Sequence, residues 1–176
     1  MNTARLTAAR PAVDGLSFAT RLSLRVGPDD RATVFGALGL DLPLRIGMRM
    51  VAGGRSALCL GPDEWMVEAA ENDSGAVVAT LAELAPRVPM SVVDVSDRET
   101  TLVLTGTGVL DLLATGCPLD LARMPVGAGT RTVFDSVQVV LTREAEDRFH
   151  LVVWRSFAPH VRALLEIALR ELAAGL

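Results

Sequence analysis

Alternating apolar and polar residues at 18–26 predict a strand with one polar face at the start of the chain. Pro28 and Asp29 favour a helix that begins there and ends at Gly39. Apolar runs between Gly and Pro breaks predict the next elements, which are strands at about 49–52, 55–60 and 65–69 and a helix at about 75–84. The first half therefore has the order β-α-β-β-β-α.

The second half repeats this order after a linking strand near 90–95. The pattern predicts strands at about 100–104, 131–135, 137–142 and 149–154, a short helix at 109–114 and a terminal helix from 157 to about 172. Apolar residues in the terminal helix recur with the spacing of one helical face. Leu40-Asp41-Leu42 after the first helix also recurs as Leu119-Asp120-Leu121 after the third. Together these features predict a duplicated α+β fold, in which helices pack on one face of mostly antiparallel sheets.

These patterns predict a domain organisation with three segments. Residues 1–15, rich in small side chains, are expected to form a flexible N-terminal arm. Residues 16–89 form the first α+β repeat, and residues 90–176 form the second. A chain of 176 residues suits one compact structural domain in which both repeats share a core.

Half of the residues are hydrophobic, and the mean hydropathy of +0.37 is high for a freely soluble domain. A spanning helix needs about 20 apolar residues. The longest stretch without charge, 100–110, is shorter than that. Residues 1–15 contain Arg5 and Arg10 but no apolar segment of a secretory signal, so we expect a cytoplasmic protein that does not bind a membrane. The apolar surplus instead predicts a large core and a surface buried against partners, with self-association when the chain is isolated.

Composition excludes several kinds of chemistry. The net charge of −4 argues against binding to nucleic acid. All 17 basic residues are arginine and tyrosine is absent, so neither a lysine nucleophile nor a phenol acid is available. His150 and His160 are the two histidines, and neither has the motif of a hydrolytic triad around it. Cys59 and Cys117 are expected to be small buried hydrophobic residues.

Four short motifs carry polar groups, and each has a simpler structural interpretation. Asp94 and Ser96 share one face of a strand, as metal ligands would, but turn hydrogen bonding is the favoured interpretation. Gly106-Thr107-Gly108 resembles part of a dinucleotide loop without its third glycine, so it is interpreted as a turn. Asp63-Glu64 is likewise assigned to a turn, and the acidic group at 144–147 to a solvated hairpin tip. We therefore assign no catalytic, cofactor-binding or metal-binding residue.

Three segments together carry a family resemblance. Leu60-Gly61-Pro62-Asp63-Glu64-Trp65-Met66-Val67 resembles the signature of the gamma subunit of heterotetrameric sarcosine oxidase. The segments 94–98, 100–102 and 116–121 resemble the central block of that subunit. Arg155-Ser156-Phe157-Ala158, followed by an amphipathic helix, resembles its C-terminal end. The resemblance extends from about residue 18 to the last helix.

The resemblance implies the folate-binding fold of the glycine-cleavage T-protein (aminomethyltransferase) superfamily. It also implies a complex with alpha, beta and delta subunits that oxidatively demethylates sarcosine to glycine, with hydrogen peroxide and methylenetetrahydrofolate as products. In that family FAD, FMN, NAD, zinc and tetrahydrofolate belong to the other subunits, so this chain is expected to bind no cofactor. The late hairpin at 143–149 lacks the glycine of a T-protein folate site, which would let backbone approach a flat ligand.

The resemblance favours a non-catalytic assembly subunit. Trp65, Trp154, Arg155 and Phe157 are the candidate interface residues, because aromatic residues and arginine dominate interface hot spots. The alternative for Trp65, Trp154 and Phe157 is a core position, which is favoured for Trp154 at the end of an apolar strand. Two other functions stay open: an autonomous folate-binding one-carbon protein, and a homodimeric ligand-sensing domain.

Overall fold

The computed structural model describes residues 11–17, 20–70 and 74–175. These residues form ten strands and four α-helices. The strands are β1 Ala12–Ser17, β2 Thr20–Val26, β3 Arg49–Ala52, β4 Arg55–Cys59, β5 Glu64–Ala69, β6 Met90–Asp94, β7 Glu99–Thr105, β8 Gly129–Phe134, β9 Val137–Ala145 and β10 Arg148–Trp154. The helices are α1 Arg31–Leu38, α2 Ser74–Leu84, α3 Val109–Ala114 and α4 Ala158–Ala174, and a 3-10 turn covers Leu121–Arg123. The elements predicted from periodicity are thereby confirmed within a few residues.

The strands form two five-stranded sheets whose pairings are all antiparallel in the described part of the chain. One sheet has the order β1-β7-β10-β9-β8, and the other has the order β6-β2-β5-β4-β3. At each position, the strands of the two sheets are equivalent elements of the two halves, so that β1 corresponds to β6 and β7 corresponds to β2. The fold is therefore a duplicated α+β architecture, and its repeating unit is ββαβββα, one strand longer than predicted.

Each repeat donates its first strand to the sheet of the other repeat. β1 pairs with β7, and β6 pairs with β2. The predicted N-terminal arm is therefore wrong for residues 12–15, which belong to β1, while residues 1–10 and 18–19 lie outside the described residues. The predicted boundary at residue 90 is also not a boundary between sheets. Both differences have one cause, since a strand's partner can lie far away in sequence.

Each sheet packs one face against its own pair of helices. In β5, Trp65 and Val67 point towards α1 and α2, while Met66 and Glu68 point towards the second sheet, as the period of two in a strand requires. The second sheet packs in the same way against α3 and α4. The result is a four-layer α-β-β-α arrangement with an apolar core on each outer side.

Helix α4 shows how one of these cores is closed. Val161, Leu165 and Ala168 form its buried stripe, as the helical spacing predicts. Gly175 ends the helix with a positive φ of 78°, a conformation that glycine adopts at little cost. Among the described residues, no helix is long and apolar enough to cross a membrane.

Candidate interface sites

Among the described residues, the layer between the two sheets contains only a small apolar cluster, and ion pairs that range from buried to half-exposed surround it. The cluster consists of Leu58 and Met66 from one sheet and Val140 and Val152 from the other. Around it, arginines donate to carboxylates and hydroxyls. Because an unpaired buried charge is costly, we expect these ion pairs to favour one relative position of the two sheets.

Arg21 on β2 is the most buried of these arginines, with 2% of its side chain exposed. Its Nη2 lies 2.8 Å from Glu68 Oε1 and 2.8 Å from Thr101 Oγ1, and its Nε lies 4.0 Å from Glu99 Oε2. Thr101 and Glu99 belong to β7 of the other sheet. One guanidinium therefore connects both sheets.

Glu64 forms a second link of this kind. Arg131 Nη1 donates to Glu64 Oε2 at 3.1 Å and Nη2 donates to Oε1 at 2.5 Å, while Arg25 Nη2 donates to Oε2 at 3.0 Å. The hydrogen bonds from Arg131, with the charges of both arginines, hold the pKa of Glu64 below its ordinary value despite partial burial. The turn assignment is wrong for Glu64, which is the first residue of β5.

Glu144 forms a third link, through Arg49. Arg49 Nη1 donates to Glu144 Oε1 at 2.6 Å, Thr142 Oγ1 donates to the same oxygen at 2.7 Å, and His150 Nδ1 lies 3.6 Å away. Burial alone would raise the pKa of Glu144, but hydrogen bonds from Arg49 and Thr142 outweigh it, so the pKa is lowered. Burial also lowers the pKa of His150. The hairpin-tip assignment is wrong for Glu144, whose carboxylate lies between the sheets, and holds for the exposed Glu146.

The other polar motifs are structural. Asp94 Oδ1 accepts hydrogen bonds from Ser96 N at 2.9 Å and Ser96 Oγ at 2.5 Å, which confirms the turn interpretation. Gly106 and Gly108 both have positive φ at the turn before α3. Cys59 and Cys117 are buried free thiols, as predicted. No group of three or more potential metal ligands occurs within the described ranges.

The candidate interface residues separate into core and surface. Trp65 is fully buried, and its Nε1 donates to the Pro43 carbonyl at 2.8 Å, so the prediction that it anchors an interface is wrong. Trp154 is 45% exposed, which contradicts the core position favoured for it. The difference follows from the strand faces, since Trp65 points towards the helices and Trp154 ends β10 on the other face.

Trp154 lies at the centre of an exposed aromatic patch. Its ring centroid is 6.3 Å from that of Phe157, and the Arg98 guanidinium lies 5.1 Å above the Trp154 ring. Arg155 is exposed beside them, and its backbone N donates to the Arg98 carbonyl at 2.8 Å. We call Arg98, Trp154 and Phe157 the aromatic patch. Its two tilted aromatic rings and its arginine are of the type found at interface hot spots.

A second exposed apolar surface is an open groove of about 610 Å³. Residues 45–49 form one wall, and residues 119–130 form the other. Ile46, Met48, Leu119 and Val126 present exposed apolar side chains there. We call this surface the repeat groove. The apolar periodicity of the sequence does not reveal this groove, because its walls are loops.

The two walls of the repeat groove contain equivalent loops of the two repeats. Gly47 N donates to the Cys59 carbonyl at 2.9 Å, and Gly127 N donates to the Arg143 carbonyl at 2.7 Å. Both glycines have positive φ, 87° and 84°, and both lie two residues before a strand. An exposed Ile46 or Val126 precedes each glycine. This Ile/Val-Gly pair was the sequence signal that could have revealed the loops.

Gly129 joins the two walls. Its N donates to the Gly47 carbonyl at 3.0 Å, and a Cβ added to it would lie 2.8 Å from Thr142 Cγ2 and 2.9 Å from the Leu141 carbonyl. No side chain fits at this position. Gly129 therefore allows the two repeats to meet through their backbones.

Buried Arg143 supports the second wall. Its Nη1 donates to the Met124 carbonyl at 2.6 Å and the Ala122 carbonyl at 3.3 Å, and its Nη2 lies 2.7 Å from Glu146 Oε2. In the hairpin that would correspond to a T-protein folate site, Arg143 and Glu146 therefore bond to each other and to this wall. The guanidinium supplies donors for carbonyls that the short 3-10 turn leaves free.

Comparison with known proteins agrees with this architecture. Residues 25–171 match the model of the sarcosine oxidase gamma subunit family. The chain is 32% identical over 167 residues to sarcosine oxidase subunit gamma of Corynebacterium sp. (strain U-96), covering 91% of this chain and 80% of the relative. It is 30% identical over 175 residues to the subunit of the same name from Arthrobacter sp., covering 96% and 84%.

Solved structures agree with both family and fold. A chain of heterotetrameric sarcosine oxidase from Corynebacterium sp. U-96, in complex with pyrrole 2-carboxylate, superimposes with a TM-score of 0.85 at 30% identity, over 92% of this chain and 84% of that one. The glycine cleavage system aminomethyltransferase T from Bartonella henselae has a TM-score of 0.69 at 18% identity, over 90% of this chain and 46% of that one, which shows a shared fold. The chain therefore belongs to the sarcosine oxidase gamma subunit family.

Proposed function

We propose that this chain is the gamma subunit of a heterotetrameric sarcosine oxidase in the cytoplasm, where it assembles with alpha, beta and delta subunits. The complex oxidatively demethylates sarcosine to glycine, reducing dioxygen to hydrogen peroxide and transferring the one-carbon unit to tetrahydrofolate as methylenetetrahydrofolate. The observation that carries this proposal is the similarity, over 92% of the chain, to a chain of a solved heterotetrameric sarcosine oxidase.

The role of this chain in the complex is assembly, and FAD, FMN, NAD, zinc and tetrahydrofolate are held by the other subunits. Two features support this role. The buried Glu64 and the partly buried Glu144 are hydrogen-bonded to arginines and have lowered pKa values, so they remain ionised and are poor proton donors at neutral pH. The aromatic patch and the repeat groove, in contrast, expose apolar side chains that an interface would cover.

The test is co-expression of this chain with the other three subunits, with an affinity tag on one of the others. We expect this chain to co-purify in a complex that forms hydrogen peroxide when sarcosine is added. The matched control omits this chain and should yield less complex and less peroxide. A fully active complex from the control, with no incorporation of this chain when it is present, would overturn the proposal.

A further inference from the structure

We propose that the repeat groove is the docking site for an acidic segment of another oxidase subunit, in which Asp or Glu flank apolar anchors. This inference rests on the proposed function and adds to it the surface and the chemistry of the partner. In the aromatic patch, Arg98 is already paired with Glu99 at 2.8 Å, so the charge of that patch specifies a partner less clearly than the charge of the repeat groove.

The apolar side chains of the groove are exposed for no reason internal to the fold. Leu40 and Leu119 occupy the same place in the duplicated Leu-Asp-Leu motif, yet Leu40 is 3% exposed and Leu119 is 43% exposed. The first repeat therefore buries this leucine in its own core, whereas the second repeat presents it to the groove. With Ile46 and Val126 it forms a cluster of exposed aliphatic side chains that a partner would desolvate.

The charge of the groove selects the partner. Arg45 and Arg123 lie exposed on opposite walls, and neither side chain has an ion pair or hydrogen bond within the described residues. Among the described residues that line the groove, Asp120 is the only acidic one. The chain as a whole carries a net charge of −4, so the groove is a local cationic surface on an acidic protein. Carboxylates on a docking segment would complement both arginines.

The same charges disfavour a second copy of this chain. A twofold contact through the groove would place identical surfaces together, so that Arg45 and Arg123 of one copy faced the same two residues of the other. Like charges at an interface cost free energy instead of supplying it. A different polypeptide is therefore the expected occupant.

The walls are already held in position for binding. Gly129 N bonds to the Gly47 carbonyl across the groove, and buried Arg143 holds the carbonyls of Ala122 and Met124. A partner segment would therefore not have to order these loops when it binds. A preorganised site loses less affinity to conformational entropy.

The first test measures the affinity of the purified chain for the complex of the other three subunits, by competition with labelled wild-type chain. Ile46→Asp and the double variant Arg45→Glu/Arg123→Glu should each weaken binding by about 30-fold or more, the effect of an interface hot spot. Ile167→Asp and Arg170→Glu on the outer side of α4 are the matched controls, since both residues are exposed. The controls should bind like wild type.

The outcomes separate the two proposals. If the wild-type chain binds and both groove variants bind with the same affinity, the inference about the repeat groove is overturned, but the proposed function is not. Absence of wild-type binding would overturn the proposed function, and the groove inference with it. Because a variant can lose affinity by unfolding, the thermal midpoint of each is compared with that of wild type.

A second measurement identifies the contacting peptide directly, instead of inferring the contact from a loss of affinity. A benzophenone amino acid in place of Leu119 is irradiated in the assembled complex, and the attached peptide is sequenced. We expect a peptide of another subunit with Asp or Glu within a few residues of an apolar anchor. An adduct with a second copy of this chain, a peptide without carboxylates, or no adduct at all would each refute the inference.

Discussion

Replacing Arg21 with methionine tests whether buried ion pairs hold the two sheets together. The substitution keeps an unbranched side chain but removes the bonds to Glu68 and Thr101, both 2.8 Å long. The cost should be large because Arg21 is 2% exposed and Glu68 is 19% exposed. Breaking a buried pair by removing one partner costs about 3–5 kcal/mol. Since Arg49 remains 3.8 Å from Glu68, we expect the lower end, about 3 kcal/mol.

Arg25→Met is the matched control, because Arg25 lies on the same strand and the same face. Its side chain is 53% exposed, and Glu64 keeps Arg131 as a partner when Arg25 is removed. An exposed pair of this kind contributes about 1 kcal/mol or less. Both variants are compared with wild type by urea unfolding, at concentrations where sedimentation shows a monomer. Equal losses in the two variants would refute the reasoning.

Three further predictions concern the same chain. Gly129→Ala should destabilise the chain by about 1–3 kcal/mol in urea unfolding, because the added Cβ has no space. Gly75→Ala should be neutral or stabilising, because an added Cβ there would meet no atom within 4 Å beyond its own helix backbone and chain neighbours. Because the pKa of Glu64 is lowered in the folded state, its contribution to stability is present above the ordinary pKa of 4.5 and is lost as pH falls through the folded pKa. Glu64→Gln should therefore reduce the loss of unfolding free energy at acid pH, measured by urea unfolding over a series of pH values, and an unchanged acid loss would contradict this. Trp154→Phe should remove most of the acrylamide quenching of tryptophan fluorescence, since the remaining Trp65 is fully buried; strong residual quenching would show that Trp65 is accessible.

The alternative of an autonomous folate-binding protein has its own test. Titration of the isolated chain with tetrahydrofolate, followed by calorimetry, should give no binding heat and no rise in thermal midpoint. The reason is that Arg143 and Glu146, in the late hairpin, are engaged with each other and with the 3-10 turn. Saturable heat with a rising midpoint would favour the alternative.

The secondary structure of this protein could be predicted from its sequence, because the information is local. The period of two in β2 and the helical stripe of α4 are visible in a window of ten or so residues. The repeated Leu-Asp-Leu motif and the repeated order of elements likewise revealed the duplication. The family resemblance was also available, because the signature at 60–67 is contiguous.

Only the tertiary structure decided what each polar or aromatic residue does. Trp65 and Trp154 look alike in sequence, but one lies under two helices and the other lies at a free end of β10. In the sequence, Glu64 and Glu144 resemble acidic residues of turns, but in the structure each is hydrogen-bonded to an arginine of the other repeat. For Trp65, Glu64 and Glu144, the deciding neighbour comes from a distant part of the chain.

The same reason explains the limits of the sequence for the fold and for the repeat groove. Local periodicity determined which segments are strands and helices. The repeated order of these elements determined that the α+β unit occurs twice. The exchange of β1 and β6 between the sheets depends on hydrogen bonds to strands of the other repeat. The repeat groove arises only where Gly47 and Gly129 meet. Contacts between residues so distant in sequence leave no local pattern. They could therefore be identified only in the tertiary structure.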